Sequence, residues 1–290
     1  MKNMNIDKVK DEPLTAKPFI VMSAPNGARL THKDHVNLPI TPTELADCAQ
    51  ALLKVGVSIL HLHVRDDNDK HSLDIDKYKA AIKAITERVG NQLILQITTE
   101  AVGIYQRHQQ MALVRQLKPE AVSLALRELC PDENSLAEAS VFFKEIYKAG
   151  VWSQYILYSP ADVLKFNQLR KQGFFGEEKP FALFVLGRYS HTLTGDPDEL
   201  DSFLKCFEEG DFPWAVCCFG STESQAAGLA WARGGHVRIG FENNRLLPDG
   251  SIAKDNAQLI KETLVTHALE PISRPLATAD WIRQHLITNI

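Results

Sequence analysis

Short apolar runs alternate with amphipathic segments along almost the whole chain. Apolar runs rich in β-branched residues predict buried strands, and segments with apolar positions three and four residues apart predict helices. Eight strands are predicted, at residues 18–24, 57–64, 92–98, 121–126, 151–158, 181–186, 214–218 and 237–241. The helices that follow them are predicted at residues 41–55, 74–88, 106–117, 134–149, 161–171, 198–208, 222–232 and 255–267, with a closing helix at 278–286.

This regular alternation predicts an α/β fold built from parallel βαβ units. Eight units in a chain of this length indicate a (β/α)8 TIM barrel with an extra closing helix. A doubly wound open sheet is the alternative, but it gives no reason for polar residues to gather at the strand ends. We expect a polar N-terminal arm at residues 1–17 and a single catalytic domain at residues 18–290.

Composition narrows the class of protein. A hydrophobic content of 44%, a charged content of 23% and a net charge of -4 are typical of a globular enzyme and argue against a nucleic-acid partner. No apolar run reaches the roughly 20 residues that a membrane span needs, and the polar start lacks a signal-peptide core. Five cysteines without a C-x-x-C spacing suit a reducing compartment, so a cytoplasmic location is expected.

Polar and ionisable side chains recur where the predicted strands end. In a (β/α)8 barrel the chemistry lies at the C-terminal ends of the strands, so these residues predict the active site. They are Asn26 and Arg29; His61, His63 and Arg65; Thr98, Thr99 and Glu100; Arg127 and Glu128; Gln154 and Tyr158; Arg188 and Tyr189; Ser221; and Arg238, Glu242, Asn243 and Asn244.

The second strand carries the strongest single signal, His61 and His63. Side chains two residues apart on a strand share a face, so both imidazoles can bind one divalent metal. Alternatively, one histidine is a hydrogen-bonded core residue and the other lines a loop. Glu242, at the end of the last strand, can complete a two-histidine, one-carboxylate set that leaves positions open for substrate. Zinc, acting as a Lewis acid, is the expected ion. His71 and His191 are interpreted as loop residues.

Two arginines near these ligands have more than one interpretation. Arg238 can bind a substrate carboxylate as a bidentate fork, or form a salt bridge within the barrel. Glu242 itself can be an ion-pair partner of Arg238 at the rim rather than a ligand. Arg65, with Asp66 and Asp67, is expected to form a network that orients the histidines.

The chain resembles the β-keto acid cleavage enzymes, whose founding type is the 3-keto-5-aminohexanoate cleavage enzyme, over about residues 18–285. Separate blocks in the same order carry the resemblance. They are NLPITP at 37–42, HLHVR at 61–65, QITT at 96–99, FVLG at 184–187, GGHVR at 234–238, GFENN at 240–244 and RPLAT at 274–278.

The resemblance implies a TIM barrel, usually a homotetramer, with zinc bound by His61, His63 and Glu242. It also implies acetyl-CoA as co-substrate, a β-keto carboxylate as substrate, and acetoacetate and a new acyl-CoA as products. The family reaction removes a proton next to the keto group and ends in a retro-Claisen cleavage, with Arg238 matching the family arginine. Such a proton is only moderately acidic until a cation stabilises the enolate charge.

Four positions depart from the founding type. Asn243 replaces an aspartate that is its proposed base, and an asparagine cannot accept a proton near neutrality. Glu128 replaces a threonine and is expected to supply the missing base. Arg29 replaces a glutamate, which should disfavour a cationic amino tail and favour an acidic or neutral one. Thr98 replaces a serine.

The predicted site therefore comprises eleven residues. Those expected to be catalytic are Arg238, Glu128, Asn243 and Thr98; those expected to bind substrate are Asn26, Arg29, Thr99 and Glu100; and those expected to bind metal are His61, His63 and Glu242.

Other functions remain open on the same barrel. One is a metal-dependent aldolase or hydrolase of a small carboxylate that does not use CoA, because no glycine-rich phosphate cradle is evident. Another is a non-catalytic metabolite-binding barrel, given Asn243. A two-histidine, one-carboxylate set also suits Fe(II) oxygen chemistry. The acyl tail of the substrate is not identified by the sequence.

Overall fold

The computed structural model describes residues 17–176, 179–207, 212–267 and 274–287. Eight parallel strands form a closed barrel in chain order, and the first strand pairs with the last to complete it. This confirms the predicted (β/α)8 barrel. The barrel strands are β1 (Val21–Ser23), β2 (Ile59–Leu62), β5 (Ile94–Thr98), β6 (Ala121–Ala125), β7 (Trp152–Leu157), β8 (Phe181–Leu186), β9 (Trp214–Cys218) and β10 (His236–Ile239).

The helices begin close to where the sequence predicted them. Thr41 caps the first helix in a full capping box with Glu44, and Pro42 occupies the first helical position. The described helices are α1 (Pro42–Leu53), α2 (Ile75–Val89), α3 (Arg107–Leu117), α4 (Leu126–Leu129), α5 (Glu133–Lys148), α6 (Pro160–Lys171), α7 (Glu199–Cys206), α8 (Glu223–Ala232), α9 (Asn256–Thr266) and α10 (Ala279–Ile282). The closing helix continues as a π-helical turn, Arg283–Ile287, rather than as one α-helix.

Two apolar layers follow from the alternation of side chains along each strand. One cluster fills the barrel interior, where Trp152 stacks on Phe181 with ring centroids 5.2 Å apart. The other, larger cluster lies between the barrel and its helices. On β5, Ile94 belongs to the interior and Ile97 to the outer layer, so Gln96 and Thr98 must face the interior.

Two strand ends differ from the prediction. The second strand stops at Leu62, and the chain then forms a hairpin of β3 (Val64–Arg65) and β4 (His71–Ser72). The last strand stops at Ile239, and the next residue, Gly240, packs so closely on the carbonyl of Ala24 that a Cβ there would lie 2.2 Å from that oxygen. Both changes lie beside the predicted metal ligands.

Part of the predicted architecture is beyond what the structure describes. Of the expected N-terminal arm, residues 1–16 lie outside the described residues, as does the predicted helix end at residue 208. None of the described helices combines the length and apolar character needed to cross a bilayer.

Candidate metal centre and active site

His61, His63 and Glu242 converge at the mouth of the barrel, as the sequence predicted. The Nε2 atoms of the two histidines are 3.2 Å apart, and Glu242 Oε2 lies 3.7 Å from that of His61 and 3.3 Å from that of His63. Both imidazoles are buried and the Glu242 side chain is nearly so. The alternative in which the two histidines serve separate roles does not fit this arrangement.

The tautomer of His61 is fixed by a chain of hydrogen bonds in the barrel interior. His61 Nδ1 lies 2.9 Å from Gln96 Oε1, which can only accept, so His61 carries its proton on Nδ1. Gln96 in turn donates to Gln154 Oε1, and Gln154 donates to the sulfur of Met22. The Nε2 lone pair of His61 is therefore left facing the cluster.

A second chain sets the tautomer of His63. His71 Nε2 lies 2.9 Å from the carbonyl oxygen of Glu100, so His71 donates there and its Nδ1 is an acceptor. His63 Nδ1, 3.4 Å away, then donates to His71 Nδ1. Consequently His63 also presents its Nε2 lone pair to the cluster.

These three atoms fit a divalent cation. Two imidazole lone pairs and a carboxylate oxygen meet with no hydrogen between them, and Glu242 Oε2 has no hydrogen-bond donor among the described residues. Tetrahedral zinc ligands at about 2.0–2.1 Å from the metal would lie about 3.4 Å apart. The observed separations of 3.2–3.7 Å bracket that value. His61, His63 and Glu242 each offer one atom that can bind a metal, and these three atoms all lie within 4.8 Å of one another.

The charges of the cluster suit the same role. Burial, together with the nearby Arg238, lowers the pKa of His61 to about 3, so its ring is neutral. Burial opposes ionisation of Glu242, but the nearby Arg238 guanidinium outweighs it and holds the pKa of that carboxyl well below its usual range. A neutral imidazole and an ionised carboxylate are the forms that bind metal.

Glu242 and Arg238 also form the ion pair that was the alternative interpretation. Arg238 Nη2 lies 3.1 Å from Glu242 Oε1 and 3.3 Å from the sulfur of Cys217. The other carboxylate oxygen of Glu242 is the one that faces the histidines. The ion pair and the ligand role therefore use different oxygens and are compatible.

The loop that carries Glu242 is held tightly from both sides. Gly27, at a φ of +56°, packs so closely on Glu242 that a Cβ there would lie 2.7 Å from its Cγ. Below the loop, the buried Glu223 accepts hydrogen bonds from the Gly240 N–H and from the side-chain amides of Asn243 and Asn244. Burial raises the pKa of Glu223 to about 8. Glu223 was not among the predicted residues, because its position in the first turn of α8 gives no local signal.

Asn243 follows Glu242 in the same loop, and only the nitrogen of its side-chain amide has hydrogen-bond partners among the described residues. Its amide nitrogen donates to Glu223 and to the carbonyl of Arg238, both at 3.3 Å. Its Oδ1 is buried and has no donor among the described residues. Asn26 is anchored in the same manner, since its amide nitrogen donates to the carbonyls of Pro39 and His63.

A cavity of about 540 Å³ opens beside the cluster, and its lining includes Asn26, Arg29, Glu100, Arg188, Glu242 and Asn243. At its mouth, Glu100 Oε1 lies 3.1 Å from a guanidinium nitrogen of Arg29 and 3.4 Å from one of Arg188. Two guanidinium groups thus share one carboxylate. The trio carries a net positive charge of one at the cavity entrance.

The remaining predicted residues are placed as follows. Thr98 ends β5, and its hydroxyl accepts a hydrogen bond from the Glu100 N–H. Thr99 donates instead to the carbonyl of Ser123. Glu128 lies in the short helix α4, where its Oε2 accepts from the Ala101 N–H at 3.1 Å and from Gln110 at 2.7 Å. Burial raises the pKa of Glu128.

Two interpretations of neighbouring residues were wrong. The hydrogen bonds of the Arg65 guanidinium go to the backbone carbonyls of Asn26, Gly27 and Asp69 rather than to His61 or His63, while Asp67 pairs with Lys77 at the surface. His63 Nδ1 is instead contacted by His71, which is buried on β4 rather than part of a loop. Gln96 orients His61; its inward-facing position on a predicted strand next to the histidine strand was a signal that could have identified it.

Comparison with known proteins agrees with this geometry. The profile of a family described as beta-keto acid cleavage enzyme matches residues 18–287. A 3-keto-5-aminohexanoate cleavage enzyme from Fusobacterium nucleatum is 30% identical over 273 residues, which is 92% of this chain and 97% of that protein. A 3-oxoadipate:acetyl-CoA acetyltransferase from Cupriavidus necator is 24% identical, over 92% of this chain and 94% of that protein.

Solved structures share the fold at low identity. ObcA, solved as a ternary complex with a C4-CoA adduct and oxalate, superposes with a TM-score of 0.65 at 16% identity, covering 86% of this chain and 67% of that one. A type I 3-dehydroquinate dehydratase from Clostridium difficile gives a TM-score of 0.54 at 11% identity, covering 87% of this chain and 93% of that one. These likenesses concern the barrel alone.

Proposed function

The chain belongs to the beta-keto acid cleavage enzyme family, and we propose that it exchanges CoA between acetyl-CoA and a β-keto carboxylate with the help of a zinc ion. In the proposed reaction the bond between the β-carbonyl carbon and the CH₂–COO⁻ unit breaks. The acyl group leaves on CoA, and the acetyl group takes its place on the CH₂–COO⁻ unit. The products are acetoacetate and a new acyl-CoA, so all atoms are accounted for.

The observation that carries this proposal is the convergence of His61 Nε2, His63 Nε2 and Glu242 Oε2, within 4.8 Å of one another, beside an open cavity. When bound there, zinc would supply Lewis-acid stabilisation of negative charge on a substrate oxygen. The names of the relatives support the use of acetyl-CoA, since the Cupriavidus protein is a 3-oxoadipate:acetyl-CoA acetyltransferase.

Arg238 is proposed to hold the substrate carboxylate near the cluster. Its guanidinium is buried, and its Nε–H has no acceptor among the described residues. A buried guanidinium without a full set of acceptors suits a bound anion. Asn243 is proposed to act by positioning rather than as a base, because an amide cannot accept a proton near neutrality. Its amide nitrogen donates to Glu223 and to the Arg238 carbonyl, which fixes its orientation.

Glu128 is proposed as the base that removes the proton between the two carbonyl groups. A general base works best when its pKa lies near the operating pH. Burial moves the pKa of Glu128 upward, in the direction this role requires. Gln110 and the Ala101 N–H hold one of its oxygens, which fixes the orientation of the carboxylate.

The entrance of the cavity is proposed to select the acyl tail. Arg29 and Arg188 carry one positive charge in excess of Glu100, so an acidic tail is attracted and a cationic tail is repelled. A dicarboxylic β-keto acid such as 3-oxoadipate fits this entrance better than the 5-amino-3-oxohexanoate that the name of the Fusobacterium relative specifies.

The test is a turnover assay with zinc-loaded protein, acetyl-CoA and three substrates that share a 3-oxo acid core. They are 3-oxoadipate, 3-oxohexanoate and 5-amino-3-oxohexanoate, and acetoacetate is measured. Acetoacetate should form with the acidic or neutral substrate, and kcat/KM should be lowest for the amino compound. No acetoacetate from any of the three would contradict the proposed reaction, and a preference for the amino compound would contradict the tail selection.

A further inference from the structure

His71 is a buried histidine that the proposed reaction does not use. The hairpin of β3 and β4 brings it back over the metal cluster, since Arg65 and His71 are paired across the two strands. Its ring is packed against Tyr105, with centroids 5.9 Å apart. The backbone carbonyl of Glu100 lies on one side of the ring and His63 on the other.

We infer that His71 is a positioning residue that fixes the tautomer and ring orientation of His63. A carbonyl oxygen can only accept, so the Glu100 contact assigns the single proton of neutral His71 to Nε2. His71 Nδ1 must then accept from His63 Nδ1, 3.4 Å away. Without that acceptor, the proton of His63 is free to move to Nε2, the atom that faces Glu242 at 3.3 Å.

The two ligand histidines are therefore oriented by different means. An amide oxygen that can only accept, Gln96 Oε1, orients His61. His63 instead depends on a second histidine, which accepts only while its own proton is held by the Glu100 carbonyl. Partners of this kind change metal affinity by about 10- to 100-fold when they are removed.

The experiment measures zinc affinity of metal-free protein by competition with a chromophoric chelator. An asparagine can place an oxygen near the position of Nδ1, and a glutamine can place a donor near the position of Nε2. His71→Asn should therefore bind zinc within about threefold of wild type, whereas His71→Gln and His71→Leu should bind roughly 10- to 100-fold more weakly. Equal affinities for all three variants, or tighter binding by His71→Gln than by His71→Asn, would overturn the inference.

His236→Leu is the matched control. His236 is also buried, and its Nδ1 accepts from the Ile20 N–H at the opposite end of the barrel. This variant should lower the melting temperature without changing zinc affinity by more than about twofold; a loss as large as that of His71→Leu would show that any buried histidine matters and would overturn the specific role. The inference rests on the proposed metal site. Wild-type protein that binds no zinc would contradict that site itself, whereas tight wild-type binding with unaffected His71 variants would contradict only the role of His71.

Discussion

Two regions of the site are built in different ways: the cluster of His61, His63 and Glu242, and the cavity entrance formed by Arg29, Glu100 and Arg188. His61 and His63 come from one barrel strand and its end, while Gly27 packs against Glu242 and Glu223 holds the loop that carries it. Arg29 and Arg188, in contrast, follow strand ends on loops, and the Arg29 side chain is 54% exposed against 13% for Glu242. The strand-borne cluster holds shared chemistry at fixed positions. If the proposed tail selection is correct, the charge of the loop-borne entrance can change without disturbing the cluster, as is common for binding residues on loops of a rigid scaffold.

Loss of a metal ligand should have the largest effect. His61→Ala or Glu242→Gln should lower kcat/KM by about 10⁴-fold or more, since Lewis-acid stabilisation is worth several kcal/mol. The zinc content of the purified variant should fall in parallel. Glu145→Gln, which removes a surface partner of Arg115, should retain both activity and zinc. A fully active Glu242→Gln protein would separate the cluster from the chemistry.

Glu128→Gln should have the next largest effect. Replacing a general base lowers kcat by about 10²- to 10⁴-fold, while zinc content should be unchanged because Glu128 does not belong to the cluster. The base must be ionised, so wild-type activity should rise with pH through the pKa of Glu128. Because burial raises that pKa, the midpoint should lie above the 4.5 of an ordinary glutamate. Retention of most of the turnover, or of the same acid limb, in Glu128→Gln would refute the assignment.

Reversing the charge of Arg29 at the cavity entrance should change which substrate is preferred rather than which reaction is catalysed. Arg29→Glu should shift the ratio of kcat/KM for 3-oxoadipate over 5-amino-3-oxohexanoate by roughly 5- to 30-fold toward the amino compound. The effect is modest because an exposed ion pair contributes at most about 1 kcal/mol, and the reversal removes one attraction and adds one repulsion. Arg115→Glu on α3 is the control and should leave the ratio unchanged. An unchanged ratio in Arg29→Glu would mean that Arg29 does not contact the tail.

Gly27→Ala should have the smallest effect on turnover and tests whether the close packing of Gly27 on Glu242 matters for metal binding. Gly90 is the matched control, because its φ of +64° resembles the +56° of Gly27 but a Cβ there meets nothing within 4 Å. Both variants should lose stability, by about 1 kcal/mol or more, because a side chain disfavours a positive φ. Only Gly27→Ala should also weaken zinc binding, by roughly tenfold, since it displaces Glu242. Equal zinc affinities in the two variants would indicate that this close packing is unimportant.

The features that could be predicted are those with a short repeat or a fixed order. Strand periodicity placed His61 and His63 on one face, and strand order placed Glu242 near them, because a closed barrel brings its last strand beside its first, which is the neighbour of the histidine strand. The capping box of α1 was also readable. Each of these depends on neighbours within a few residues or on the topology as a whole.

The features that could not be predicted depend on contacts between distant residues. His71 reaches His63 only because residues 64–72 form a hairpin, whose turn requires Asp69 at a positive φ of 59°. Glu223, which lies on α8 and 19 residues before Glu242, supports the loop of Glu242 by accepting from the Gly240 N–H. Neither the hairpin nor that approach has a signature in hydrophobic periodicity, so the supporting residues were missed although the cluster of His61, His63 and Glu242 was predicted.

The most direct test of the metal centre is anomalous X-ray diffraction at the zinc edge, from crystals of protein loaded with one equivalent of zinc. The arrangement predicts a single strong peak about 2.0–2.2 Å from His61 Nε2, His63 Nε2 and a Glu242 carboxylate oxygen. A peak elsewhere on the molecule, or the absence of a peak between these three side chains, would contradict it.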